Sequence, residues 1–324
     1  MPDALRLDAV SKAYGATPVV RSASFTVAQG EFCAIVGPSG CGKTTTLKMI
    51  NRIIEPSSGR VLIDDEDAAA MDPVLLRRRI GYVIQQVGLF PHMSVEANAG
   101  AVLRIMGRPR EECRARARAM LDLVGLPASV YADRRPSALS GGQQQRVGVA
   151  RALAADPDII LMDEPFAAVD PVIRKQLQDE MRRIQRETGK TIVFVTHDLL
   201  EAFSLADRIV LLKDGVVIQA GSPEELLFAP SSPFVSEYLA ESRELLGLRF
   251  MKARDFAMPG SALAPELPAD VSVLDVVLAL AGRQEVDRLS PVIMGDADGP
   301  CWTLDAAGLV RAVVGAVADP AEGA

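Results

Sequence analysis

Between positions 37 and 44 the chain reads Gly37-Pro38-Ser39-Gly40-Cys41-Gly42-Lys43-Thr44, glycines, a lysine and a threonine at a spacing suited to holding phosphates. Glycines let the backbone curl so that successive N–H groups and the start of a following helix face an anion. The lysine then reaches the β- and γ-phosphates of a nucleotide, and the threonine hydroxyl binds magnesium. The nucleotide-binding candidates are thus Gly37, Ser39, Gly40, Cys41, Gly42, Lys43 and Thr44, with Thr45 directly after them. Further on, Ile159-Ile160-Leu161-Met162 runs into Asp163-Glu164, two carboxylates at the end of a buried-strand pattern, where open α/β sheets bind ligands. Asp163 is expected to hold magnesium through water, and Glu164 to orient and polarise an attacking water. Phosphoryl transfer asks the protein mainly for such positioning and charge stabilisation. Kinases, GTPases and helicases all use these two features, although no N-K-x-D string for guanine recognition occurs in the chain.

A third motif narrows the choice. Ser140-Gly141-Gly142-Gln143, after Leu139, stands at the start of a helical pattern, and its hydroxyl and amides make a second anion site able to grip a γ-phosphate. With this signature the chain resembles the ABC ATPases over residues 5 to 240. The resemblance implies an ABC-type P-loop fold: a mainly parallel sheet core, an antiparallel N-terminal β subdomain and a helical subdomain over residues 86–155. It implies ATP and magnesium as ligands. It also makes Tyr14 the aromatic that stacks on adenine, and Gln85 the glutamine that senses magnesium and the attacking water. Asp170 becomes the residue of the loop that crosses a dimer interface, and His197 the donor to the γ-phosphate. In this family the signature acts on ATP held by the opposite subunit, so one phosphate loop and one signature per chain imply a head-to-tail homodimer. The interval from Lys43 to Ser140 is too short for the coiled-coil insertion of non-transport relatives.

These residues need a scaffold. Continuous apolar runs at 32–36, 159–162 and 191–196 suit strands buried on both faces of a parallel sheet. Helical patterns at 43–54, 111–123, 143–154 and 172–188 are placed to cross over or cover it. The expected class is α/β. After residue 228 the texture changes, with APSSP at 229–233 and Pro259, Pro265 and Pro268 close together, which marks a linker. The expected organisation is an ATPase domain over 1–240, then a linker and small module over 241–324.

Charge and composition bound the partners. Against 42 Asp+Glu the chain has 35 Lys+Arg, a formal charge of −7, which weighs against a nucleic-acid partner. Arginines between 104 and 118 are interleaved with Glu111, Glu112 and alanines, as on a solvated helix face. Four separated cysteines without a C-x-x-C pair read as reduced thiols. No basic-then-apolar leader opens the chain, and its apolar stretches, such as 271–281, fall short of the roughly 20 residues that span a bilayer. A membrane role is therefore expected through a partner, with the chain peripheral on the cytoplasmic face.

The stretch 80–95 (IGYVIQQVGLFPHMSV), with 46–51 and Arg77-Arg78-Arg79 upstream, is most similar to ATPases of the betaine/choline/proline importer subfamily. That similarity implies a membrane permease, a substrate-binding protein and a quaternary-amine osmolyte as solute. Importers of amino acids, polyamines or sugars share most of these motifs and remain open. Residues 250–318 look like a single, degenerate module of the cystathionine-beta-synthase (CBS) type. A helix is expected at 271–280, a strand at 290–294, and Thr303-Leu304-Asp305 leads into a last helix. The nucleotide-contacting Thr-x-x-Asp of such modules is here one residue short.

Overall fold

The structure, a computed structural model, describes residues 2–85, 88–167, 171–260, 265–281, 291–295 and 300–317. The chain divides into two units, residues 1–223 and 224–324. The first holds strands β1 (Asp3–Tyr14), β2 (Thr17–Ala28), β3 (Phe32–Val36), β4 (Ser58–Ile63), β5 (Glu66–Asp67), β6 (Ile80–Val83), β7 (Ile159–Asp163), β8 (Thr191–Val195), β9 (Arg208–Lys213) and β10 (Val216–Gly221). Its helices are α1 (Lys43–Ile50), α2 (Pro73–Arg79), α3 (Val95–Ala99), α4 (Ala101–Ile105), α5 (Arg110–Leu123), α6 (Ala128–Tyr131), α7 (Gly141–Ala154), α8 (Pro171–Thr188) and α9 (Leu199–Leu205).

Six strands form one sheet in the order β10-β9-β3-β8-β7-β6, parallel except for the β10 edge. Every residue of β3, β7 and β8 is buried, as continuous apolar runs require of strands covered on both faces. In register, Ile35 and Asp163 both pair with Val195. The three strands therefore end level, and the segments that follow them open on one edge of the sheet. A second, antiparallel sheet has the order β2-β1-β4-β5. One core joins the two sheets: Leu5, Leu7 and Phe25 from the second meet Ile35, Leu161 and Val193 from the first, with Leu47, Met49 and Ile50 of α1 between them. Each such side chain stabilises the fold by about 1.5–3 kcal/mol when fully buried.

α1 ends at Ile50, four residues before the apolar pattern does. Arg52 takes a left-handed φ of 49°, and the N–H groups of Arg52 and Ile53 donate to Met49 O and Lys48 O. These two bonds close the helix in a Schellman motif. α3 to α7 lie between β6 and β7. On α5 the arginines pair within the protein: Arg114 and Arg118 with Glu96, Arg116 with Asp156. No described helix is long and apolar enough to cross a membrane.

The second unit contains α10 (Pro223–Phe228), α11 (Pro233–Ala240), α12 (Arg243–Phe250), β11 (Met258–Pro259), α13 (Val273–Ala281), β12 (Val292–Gly295), β13 (Cys301–Leu304) and α14 (Ala306–Val317). Within it the ring of Phe228 in α10 packs edge-on at 5.6 Å against Phe250 in α12. Its antiparallel sheet, β11-β13-β12, and its helices enclose Leu248, Val273, Val276, Met294 and Leu304. Ser290, the expected start of the strand at 290–294, lies outside the described residues. All four cysteines are free thiols.

Candidate functional site

The level ends of β3, β7 and β8 bring the three motif segments together. At two glycines of the loop after β3 there is no room for a side chain. Gly37 has φ 147°, and a Cβ there would lie 2.0 Å from Leu212 O; Gly42 has φ 101°, and its Cβ would lie 2.8 Å from Val19 O. Gly42 is also the N-cap of α1 and offers no side chain to its free N–H groups, so these remain available to an anion. Lys43 is buried, and its ammonium donates to Gly37 O at 2.7 Å and Pro38 O at 2.9 Å. A cleft of about 560 Å³ opens here. It is lined by Ser39, Gly40, Gly42, Lys43, Thr44, Thr45, Glu164 and His197, with Val19 from β2. Cys41, within the loop, is buried, and its burial pushes the thiol up.

Thr44 Oγ1 donates to Asp163 Oδ1 at 2.9 Å. Asp163 is buried, and desolvation pushes its carboxyl above the usual range, with the Thr44 hydrogen bond pulling the other way. A dication beside it would remove that penalty. The donors, Thr44 Oγ1 and the Asp163 carboxylate, are hard oxygens. This fits magnesium, which keeps several waters and takes one or two protein oxygens plus phosphate. Glu164 follows at a left-handed φ of 45°, a conformation costing about 1–3 kcal/mol for a non-glycine residue and typical of functional turns. Its amide is pinned to Val195 O at 3.0 Å. Its carboxylate accepts from Gln85 Nε2 at 2.8 Å and lies 3.4 Å from His197 Nδ1. Gln85, Glu164 and His197 thus form one polar cluster over the phosphate loop.

The structure does not bring every candidate there. Ser140 caps α7: its Oγ accepts the Gln143 N–H at 3.3 Å, and Gln143 Oε1 accepts the Ser140 N–H at 3.0 Å. Gln143 Nε2 also donates to the Tyr131 hydroxyl at 3.2 Å. The Gln143 side chain thus holds the signature turn itself, leaving the Ser140 hydroxyl hydrogen and the Gly141 and Gly142 amides for an anion. None of these four residues lines the cleft. Tyr14, at the end of β1, is exposed, with the Lys12 ammonium 5.3 Å from its ring centroid. Asp170 lies outside the described residues. Val19 and Tyr131 escaped the sequence reading, because neither carries a local signal; only strand pairing and helix packing place them.

The ABC transporter family model matches residues 20–167. The glycine betaine/carnitine/choline transport ATP-binding protein OpuCA of Bacillus subtilis (strain 168) is 55% identical over 240 residues, which are 74% of this chain and 63% of that protein. The chain thus spans less than two thirds of this relative's length. The glycine betaine uptake system ATP-binding protein YehX of Escherichia coli (strain K12) is 45% identical over 266 residues, covering 80% of this chain and 85% of that one. A solved dimeric ATP-binding cassette, MJ0796 in a post-hydrolysis state bound to ADP and Pi, is similar at a TM-score of 0.62 and 36% identity, over 67% of this chain and 98% of that chain. The chain belongs to the ABC transporter ATP-binding family.

Proposed function

We propose that this chain is the ATP-hydrolysing subunit of an ABC importer that takes up quaternary-amine osmolytes such as glycine betaine or choline. The observation that carries the ATPase reading is the cleft lined by Lys43, Thr44, Glu164 and His197, with Asp163 bonded to Thr44 and Gln85 to Glu164 behind that lining. Lys43 would leave the carbonyls of Gly37 and Pro38 for the β- and γ-phosphates. Thr44 and Asp163 would hold magnesium, which when bound neutralises charge on the transferred phosphoryl group. Glu164, aimed by Gln85, would polarise the attacking water, and His197 would donate to the γ-phosphate. Tyr14 would stack on adenine, worth about 1–3 kcal/mol by analogy with bases on aromatic side chains.

The separation of the Ser140 turn from the cleft supports a head-to-tail pair of chains, each closing the other's site, with Asp170 at the interface. The dimeric state of MJ0796 is consistent with that arrangement. ATP would favour the closed pair and hydrolysis would release it, a two-state motion that a membrane permease can read. The chain would then work as a peripheral subunit on the cytoplasmic face of the membrane, with a binding protein delivering solute to the permease.

The solute assignment is supported by the similarity to OpuCA and YehX. With its permease and binding protein in vesicles, the complex is expected to accumulate glycine betaine or choline only when ATP is supplied. Transport of spermidine, maltose or histidine, with betaine neither moving nor competing, would refute the solute reading and leave the ATPase reading standing.

The ATPase domain is proposed to extend over 1–240, with a helical subdomain over 86–155 and a CBS-like module within 241–324. The alternation of β11, α13, β12, β13 and α14 supports the module. Thr303 Oγ1 donates to Gly260 O at 3.2 Å, and Asp305 Oδ1 accepts the Gly308 N–H at 2.7 Å, capping α14. Both side chains are thus engaged inside the unit, which favours a role in pairing chains over nucleotide sensing. A chain ending at Glu244 is expected to keep ATP binding and the full-length salt profile of transport. A flattened salt profile would instead make the module an ionic-strength sensor, and loss of ATP binding would move the domain boundary.

A further inference from the structure

Glu201 takes no part in the chemistry above, yet its carboxylate is buried at 6% exposure next to the strand end that carries His197. Its Oε2 accepts the Thr196 hydroxyl at 2.7 Å. That hydroxyl itself accepts the Asp198 backbone N–H at 3.0 Å, so its single hydrogen is committed to Glu201. The other carboxylate oxygen lies 3.8 Å from Arg174 Nε, and a second arm of the same guanidinium lies 3.7 Å from Asp198 Oδ2. Asp198 in turn caps α9, accepting the N–H groups of Leu200 and Glu201.

The sequence Asp198-Leu199-Leu200-Glu201 has the spacing of a capping box, in which the acid would reach back to the N-cap N–H. Here that N–H is already bound to Thr196, and Glu201 turns to the threonine hydroxyl instead. Burial pushes this carboxyl up, with the Thr196 hydrogen bond opposing the shift. Burying a carboxylate costs several kcal/mol before its partners compensate, and packing α9 alone would not require one. What the arrangement does is hold both neighbours of His197, Thr196 and Asp198, and tie them through Arg174 to α8, which begins at Pro171.

We infer that Glu201 is a positioning residue for His197: through Thr196 and Arg174 it fixes the 196–198 turn to the start of α8, so that the imidazole meets Glu164 and a γ-phosphate in one geometry. The inference rests on reading the cleft as an ATP site. Its test uses the full-length Glu164→Gln chain, expected to accumulate an ATP-bound dimer that sedimentation velocity detects. Adding Glu201→Gln should raise the ATP concentration for half-maximal dimer formation about tenfold, the loss of one charge-assisted hydrogen bond. ADP, which lacks the γ-phosphate, should bind as before, and the melting temperature should move by only a few degrees. Thr196→Val, which keeps the shape and removes the hydroxyl, should reproduce the shift and provides the same test if Glu201→Gln does not fold. In a chain also carrying His197→Ala, Glu201→Gln should add nothing, because interacting residues are non-additive. An undiminished shift in that background, a parallel loss of ADP binding, or no shift at all would overturn the inference while leaving the ATP site intact. Failure of the parent Glu164→Gln chain to dimerise with ATP would instead overturn the reading of the site, and the inference with it.

Discussion

Glu164→Gln is expected to leave ATP binding within about twofold of the parent chain while lowering turnover by about 10²- to 10⁴-fold, the usual range for losing a group that handles the proton of an attacking water. The amide keeps the shape of the side chain and can still accept a hydrogen bond from Gln85, which now lies 2.8 Å from the carboxylate. It loses the negative charge that polarises water. The strained φ of 45° is set by the backbone bond to Val195 O and should be unaffected, so the fold should be too. Phosphate release and nucleotide binding, measured on the same preparation with the permease present, check both halves. Hydrolysis at the parent rate would remove Glu164 from the mechanism.

Lys43→Ala is expected to act one step earlier. Its ammonium is buried against the carbonyls of Gly37 and Pro38, inside the curl of the phosphate loop. A cation held there offers charge-assisted hydrogen bonds to phosphate, each worth about 1.5–3 kcal/mol. Its removal should weaken ATP and ADP binding by about 10- to 100-fold. Titration with a fluorescent nucleotide measures this directly, and unchanged far-ultraviolet dichroism would assign the loss to the site. Affinity equal to the parent's would place the phosphates elsewhere.

The two substitutions fall on residues that the sequence made legible, and for one physical reason. The phosphate loop and the acidic pair sit directly at the ends of buried strands, so strand, turn and chemistry occupy one short window and signal together. The bundle of level strand ends follows from register, Ile35 and Asp163 both opposite Val195, which apolar runs do not encode. The end of α1 was hidden because Ile53 and Ile54 continue its apolar pattern while Arg52 leaves the helix. Gln143 braces the Ser140 turn, a use of its amide that depends on Tyr131 in another helix and that no local pattern encodes. The network at Glu201 was illegible for a similar reason. Its spacing is that of a capping box, and only the prior bond between Thr196 and the Asp198 N–H diverts it.

The central claim is that each ATP site is shared between two chains, one supplying Lys43 and the other Ser140. Mixing Lys43→Ala chains with Ser140→Arg chains tests it most directly, with ATP hydrolysis in the presence of the permease as the readout. In the mixed dimer one site carries both defects and the other carries neither. Hydrolysis well above that of either variant alone is expected. A mixture no more active than its separate components would contradict it.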